Sequence, residues 1–368
     1  MEKLKRIVLL VCVMLVFSFV LFTTESQACT GILTKTQDNN YIYARTMEFA
    51  SGFMPHNLIA VPRNYKYVGQ TPSGQPGLPW QTKYGFVGFN PLGQPYVDDG
   101  LNEQGLICGG FFFTGCAQYE NVAAVDYPNT ISNSELPSWL LGTCASVAEV
   151  RAKLPTVHVA GVIQPAVGYC PPLHFLVADK SGDAAVIEYL NGQLNIYDNQ
   201  TNTLTNNPNY IWQTTNLRNY IGLRPENNPA VTINGNQFAQ FGQGSGAVGL
   251  PGDFTSPSRF IRASLLANWT FQGKNIEEGI VNAFHIMNHF DIPPGAVRGM
   301  EGKTVVFDAT QWTCAADMTN DRYYFNTLSD RGIRVIDLKK LDLNATKIKT
   351  ILDIQKPGKV EDVSGQLK

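Results

Sequence analysis

Residues 26–49 read SQACTGILTKTQDNNYIYARTMEF, and the organisation of the chain is worked out from here. CTGILTKT and YIYARTMEF have strand composition. Between them Gln37-Asp38-Asn39-Asn40 tolerates left-handed backbone, so the stretch predicts a β-hairpin. A turn centred on Asp38-Asn39 sets Cys29 opposite Glu48, with Arg45 close by. The hairpin thereby offers the thiol a cation and an anion. Arg45 and Glu48 lie three positions apart, so a regular strand sends them to opposite faces; one of them must sit at a bulge or strand end to join the other.

Upstream, Lys3, Lys5 and Arg6 precede an apolar run from Ile7 to Phe22, and Ser26-Gln27-Ala28 puts small residues where a signal peptidase reads them. The run is roughly 16 residues long against the ~20 that a membrane span needs. The expectation is a secretory signal over residues 1–28, cut between Ala28 and Cys29. The mature protein is then exported, periplasmic or secreted, with no stable membrane anchor. A cut there makes Cys29 the first mature residue, which admits two chemistries. One is lipid attachment, giving a ligand-binding lipoprotein; polar Ser26 stands where lipid attachment needs an aliphatic residue. The other uses the new α-amino group, with an ordinary pKa of about 7.7–8.0, as the base for its own thiol.

With 368 residues, 44% hydrophobic and 16% charged, the chain can bury a large core unaided. A formal net charge of -2 from 28 basic and 30 acidic side chains leaves no basic stripe for nucleic acid. Removal of the signal takes Cys12 with it and leaves Cys108, Cys116, Cys144, Cys170 and Cys314 beside Cys29. No CxxC spacing points to zinc or a redox dithiol. Core thiols with at most two bridges are expected, their pairing open.

Further strands are expected at Tyr84 to Phe89 and Gly105 to Phe113, then helix from Glu135 to Leu154, where Ser146-Val147-Ala148-Glu149 fits a capping box. LHFLVAD, DAAVIEYL and QLNIYDN, between His174 and Asn199, return to strands. Ser256-Pro257 opens a helix to about Trp269, and another runs from Ile276 to Phe290. VVFDA, RYYFNT and IRVIDL complete a strand-rich tail. Strands, helices, strands, helices and strands again, without a linker, predict one α+β domain of two stacked antiparallel sheets covered by helices over residues 29–368.

Five blocks carry a resemblance: CTGILTK, ARTME, DDGLNEQGL (98–106), LTNNPNYIWQTTNLRNYIGLR (204–224) and GQGSGAVGLPGDFTSPSRFIR (242–262). In this order and spacing the chain resembles the choloylglycine hydrolase and penicillin V acylase family. The resemblance implies the N-terminal nucleophile hydrolase fold, an αββα sandwich. It also implies cleavage of a linear amide C–N bond in a small amphipathic substrate, such as a conjugated bile salt or penicillin V, with no cofactor. Acyl-homoserine lactones or other fatty amides are the alternative substrates.

Position by position, the resemblance implies Cys29 as nucleophile and Arg45 beside it, lowering the thiol pKa. Glu48 stands where the family usually has aspartate, and would orient the Cys29 amine and Arg45. Asn206 would bind substrate and the tetrahedral oxyanion through its amide N–H. Arg259, placed against the macrodipole in the first turn of its helix, matches a second active-site arginine, whereas Arg262 reads as structural. Met47 and Phe112 are assigned to substrate. Phe112 occupies the place of an oxyanion-hole asparagine, where a backbone N–H could serve instead or the aromatic run could reshape the acyl pocket, and not every residue of Phe111-Phe112-Phe113 belongs to a pocket. Asp98 and Asp99 read as turn and strand-end residues outside the chemistry. The scattered histidines, His285 and His289 included, imply no metal. The segment from Asn216 to Gly252 resembles the family's assembly loop, which implies a homotetramer.

Overall fold

The computed structural model describes residues 28–50, 55–301, 303–352 and 354–367. The basic and apolar segment before Ala28, on which the secretory-signal reading rests, lies outside the described residues.

The N-terminal hairpin forms as expected, from β1 (Cys29–Lys35) and β2 (Tyr41–Ala50), but its register differs by one residue. The loop closes through Thr36 and Asn40, with Asn39 at φ 64°, so Lys35 pairs with Tyr41 and Cys29 with Met47 rather than Glu48. A shift of one residue exchanges the faces of a strand. Cys29, Gly31, Arg45 and Met47 therefore share the face toward the second sheet. Thr30, Thr46 and Glu48 share the other. The expected irregularity lies in the neighbouring strand Thr304–Asp317, whose pairing with β2 slips between Thr310, opposite Glu48, and Trp312, opposite Met47.

That strand continues a seven-stranded sheet in the order Thr203–Leu204, β1, β2, Thr304–Asp317, Arg322–Thr327, Arg334–Asp337, with Val297–Glu301 pairing the long strand. The second sheet has eight strands, running from Gln193–Asp198 through Ala184–Leu190, Leu173–Asp179, Leu106–Phe112, Asp99–Asn102, Phe86–Pro91 and His56–Val61 to Lys349–Ile351. Every pairing in both sheets is antiparallel.

Alternation along the strands creates three apolar layers. Inward residues such as Leu33, Tyr43, Met47, Phe89, Phe111, Leu176 and Trp312 fill the space between the sheets. Ile32, Ile42 and Ala44 face the other way, onto the helices Ser256–Trp269 and Ile276–Met287. The helices Leu136–Thr143 and Val147–Lys153 cover the second sheet. They separate at the expected capping box, where Ser146 caps the second helix by accepting from the Glu149 N–H. The result is the expected α+β sandwich of αββα layering. Gly31 sets how closely its sheets approach, since a Cβ there would meet the Phe111 ring at 2.6 Å. All six described cysteines are free.

Candidate active site

Cys29 opens β1 at one end of the sandwich and is completely buried. From the adjacent strand Arg45 Nη2 donates to its sulfur at 3.1 Å, and Met47 Sδ lies 3.6 Å from that sulfur. The arginine is held on all sides. Nη1 donates to the Gly110 carbonyl at 2.8 Å and reaches Asp99 Oδ2 at 3.3 Å, and the guanidinium carbon sits 4.3 Å from the centre of the Phe111 ring. Asp99 in turn accepts from the hydroxyls of Tyr43 and Tyr323, each at 2.6 Å.

The backbone nitrogen of Cys29, here in the Ala28–Cys29 peptide bond, donates to Asn206 Oδ1 at 2.8 Å. Asn206 follows the short strand Thr203–Leu204, and the same oxygen accepts from Arg259 Nη2 at 2.7 Å. Arg259 stands where the sequence expected it, in the helix opened by Ser256. Its Nη1 bridges the Cys29 carbonyl (2.6 Å) and Thr30 Oγ1 (2.8 Å), while Nε donates to Phe254 O at 2.8 Å. These acceptors offset its unfavourable position near a helix N-terminus. Arg262, as expected, ties backbone carbonyls instead, Pro251 at 2.6 Å among them.

Glu48 lies on the helix side of the sheet, opposite Arg45. Its Oε1 accepts from Thr310 at 2.9 Å, and Oε2 is buried without a partner. Burial pushes the carboxyl up to about 7, against the pull of Arg259, Thr46, Thr310 and Arg45. Burial also raises the Cys29 thiol, and Glu48 adds to the rise; Arg45, Arg259 and the Phe112 N–H oppose it. Arg45 thus lowers the thiol pKa as expected, but with the Cys29 nitrogen in a peptide bond desolvation outweighs the arginines.

Phe112 meets the site through its backbone. Its N–H opposes the rise in the Cys29 thiol pKa, and its carbonyl accepts from Asn206 Nδ2 at 2.8 Å. So one hydrogen of the amide expected to face an oxyanion is committed to Phe112. Phe111 lies under Arg45, and Phe113 stacks on His174 at 4.2 Å; only Phe112 of the three lines the pocket. His174 is a satisfied core residue whose Nε2 meets Thr205 O at 2.9 Å, just before Asn206.

That pocket, about 70 Å³, lies beyond Met47 and Phe112 and is walled by Phe49, Leu92, Val167 and Leu173 among others. It is smaller than the ~150 Å³ cavity that takes up a benzene, so anything larger than a benzene would extend into its mouth. A second cavity of about 230 Å³ lies at the far end of β1, against Phe271, and contains none of these residues.

The structure thus brings together Cys29, Arg45, Glu48, Asn206, Arg259, Met47 and Phe112. Sequence reasoning missed Asp99, set aside as a strand-end residue. Its signal is that DGLN is a strand buried at all four positions, where a carboxylate needs a charged partner.

A model of linear amide C–N hydrolases, the choloylglycine hydrolase family, matches residues 29–351. The bile salt hydrolase/transferase of Clostridium perfringens is 32% identical over 88% of this chain and 96% of its own length. The penicillin V acylase of Pectobacterium atrosepticum is 27% identical over 92% and 88%. The crystal structure of a variant of the conjugated bile acid hydrolase from Clostridium perfringens superposes with a TM-score of 0.79 at 30% identity, over 91% of this chain and all of that one. Penicillin V acylase from Agrobacterium tumefaciens shares the fold, with a TM-score of 0.70 at 23% identity over 88% and 90%. The fold is the N-terminal nucleophile hydrolase sandwich.

Proposed function

This chain belongs to the choloylglycine hydrolase family and is a hydrolase of linear amide C–N bonds, and on that premise we propose that Cys29 is its N-terminal nucleophile, exposed by removal of a secretory signal. The observation that carries the reading is the convergence on one residue: the Cys29 sulfur receives Arg45 Nη2, while its nitrogen and carbonyl are held by Asn206 and Arg259. Few structural cysteines are gripped at sulfur, nitrogen and carbonyl together beside an apolar pocket.

With residues 1–28 removed, the Cys29 amine takes the thiol proton and the thiolate attacks the amide carbonyl. The carbonyl π pair moves onto oxygen, where the Phe112 N–H and the remaining Asn206 amide hydrogen stabilise it. Collapse expels the leaving nitrogen, which takes its proton from the ammonium. Water, activated by the same amine, then hydrolyses the thioester. Arg45 favours the thiolate, Arg259 fixes Asn206, and Glu48, whose charge acts on both Cys29 and Arg259, orients the amine. Met47 and Phe112 border the acyl group.

The substrate class is a conjugated bile salt or penicillin V, by likeness to the relatives above, and the product enzyme is exported. The hairpin Val231–Ile233 with Asn236–Phe238 is exposed throughout, which supports a homo-oligomer, a tetramer by the family resemblance. A release assay over glycine- and taurine-conjugated bile salts, penicillin V and acyl-homoserine lactones tests the reading, alongside mass spectrometry of the mature N-terminus. Turnover that survives Cys29→Ser, or a mature chain that keeps a residue before Cys29 or carries a diacylglyceryl group on it, overturns it.

A further inference from the structure

Asp98 is a turn residue by sequence, yet it lines the pocket beyond Met47 and Phe112. Its backbone is fixed from both sides, the N–H donating to Phe89 O at 3.0 Å and the carbonyl accepting from Gly110 N at 2.7 Å. Its side chain is 15% exposed, with Oδ2 3.1 Å from His56 Nε2. The other oxygen, Oδ1, is buried and has no partner. Ser134 lines the same pocket, and its Oγ is likewise buried without a partner. No lysine or arginine is among the described residues lining this pocket.

We infer that Asp98 and Ser134 form a polar subsite in the acyl pocket, selective for acyl groups that carry a hydroxyl. The inference rests on the reading of this pocket as the acyl site. A buried carboxylate oxygen has lone pairs and no hydrogens, so it demands a donor; a serine hydroxyl both donates and accepts. A ligand hydroxyl supplies what both lack, giving its hydrogen to Asp98 Oδ1 and accepting from Ser134 Oγ. A plain alkyl or aryl group leaves both oxygens unsatisfied, whereas a hydroxyl satisfies them, and that difference is the source of the selectivity. An ammonium donor would meet Asp98 alone and leave the Ser134 hydrogen unmatched. An acyl carboxylate would face Asp98 with no cation on the wall to offset it. The pocket therefore ranks acyl groups as hydroxylated, then apolar, then anionic.

Matched pairs test this: glycine conjugates of cholic acid and of its 7-deoxy and 12-deoxy analogues, and glycine amides of phenylacetic and of 2-, 3- and 4-hydroxyphenylacetic acids. The mature enzyme is expected to prefer the hydroxylated member of at least one pair by roughly 10- to 100-fold in kcat/KM. Ser134→Ala and Asp98→Ala are each expected to bring that ratio toward one, through loss on the hydroxylated member. Ser134→Ala removes an oxygen that bonds nothing in the protein, so it keeps the test valid should Asp98→Ala misfold through loss of the His56 contact. Binding of the same ligands to Cys29→Ala by calorimetry reads the preference without turnover. Preference in binding with no hydrolysis by the wild type would overturn the nucleophile reading and support the subsite. Hydrolysis with equal rates across every pair, a ratio that neither variant changes, or no binding of any member, overturns the subsite.

Discussion

Replacing Glu48 with glutamine removes an ionisable group from a place where its charge is costly, and the surroundings set the cost. The side chain is fully buried, one oxygen is bonded to Thr310 and the other is unpartnered. Its carboxyl stands at about 7 against an ordinary 4.5, burial being the largest cause. Because the folded state holds this proton more tightly, the stabilising contribution is complete below pH 4.5, where both states are protonated. It is lost as pH rises from 4.5 through about 7. At about 1.4 kcal/mol per unit the loss amounts to roughly 3 kcal/mol by pH 8, a large part of the 5–15 kcal/mol that typically separates folded from unfolded protein. Urea unfolding of a chain starting at Ala28, which keeps the peptide bond to Cys29, should therefore show Glu48→Gln gaining on the wild type from pH 4.5 to 8. A chain starting at Cys29 places an α-ammonium nearby and should show a smaller gain. If the wild type and Glu48→Gln run parallel across this range, Glu48 does not hold its proton and the electrostatics derived for the site are wrong.

Asn206→Ala removes the acceptor shared by the Cys29 nitrogen and Arg259 and one proposed oxyanion donor. The loss in kcat should be about 10²–10³-fold with the fold kept, read by steady-state kinetics and circular dichroism. Asp99→Asn leaves the Arg45 charge buried without its carboxylate, which should lower unfolding free energy by about 3–5 kcal/mol, measured in urea. Arg45→Met removes the first of the influences that oppose the rise in the thiol pKa. The pH midpoint of iodoacetamide alkylation at Cys29 should move upward, and a midpoint that stays or falls counts against the assignment. For the exposed hairpin, Val231→Asp with Phe238→Asp should convert any oligomer to monomer in light scattering, with secondary structure unchanged.

The sandwich was legible because its strands and helices have distinct periods. The helix from Ser256 to Trp269 was anticipated, since Ser256-Pro257 is a strong start. The hairpin's existence was legible too, from the Gln37-Asp38-Asn39-Asn40 turn. Its register was not, because a single residue in the left-handed region at Asn39 decides which side chains oppose Cys29, and four turn-forming residues in a row do not say which one that is. That slip matters chemically: it makes Met47 the direct neighbour of Cys29 and puts Glu48 on the Arg259 side. Asp99 was obscured, because its role depends on Arg45, Tyr43 and Tyr323 arriving from other strands. Phe112 was reached only through the resemblance, since it acts through its backbone, on which side-chain identity is silent.

Asn206 is bonded to residues 177, 94 and 53 positions away, at Cys29, Phe112 and Arg259. Contacts of such sequence separation close late, after loop-closure entropy has been met by docking the two sheets. Each half of the molecule can acquire its strands without acquiring a reactive centre. Trp312, stacked on Phe89 between the sheets at 4.0 Å, becomes buried as they dock, so on refolding its fluorescence change should precede or accompany, and never follow, the recovery of amide hydrolysis. Catalysis in this architecture is a property of the completed chain topology.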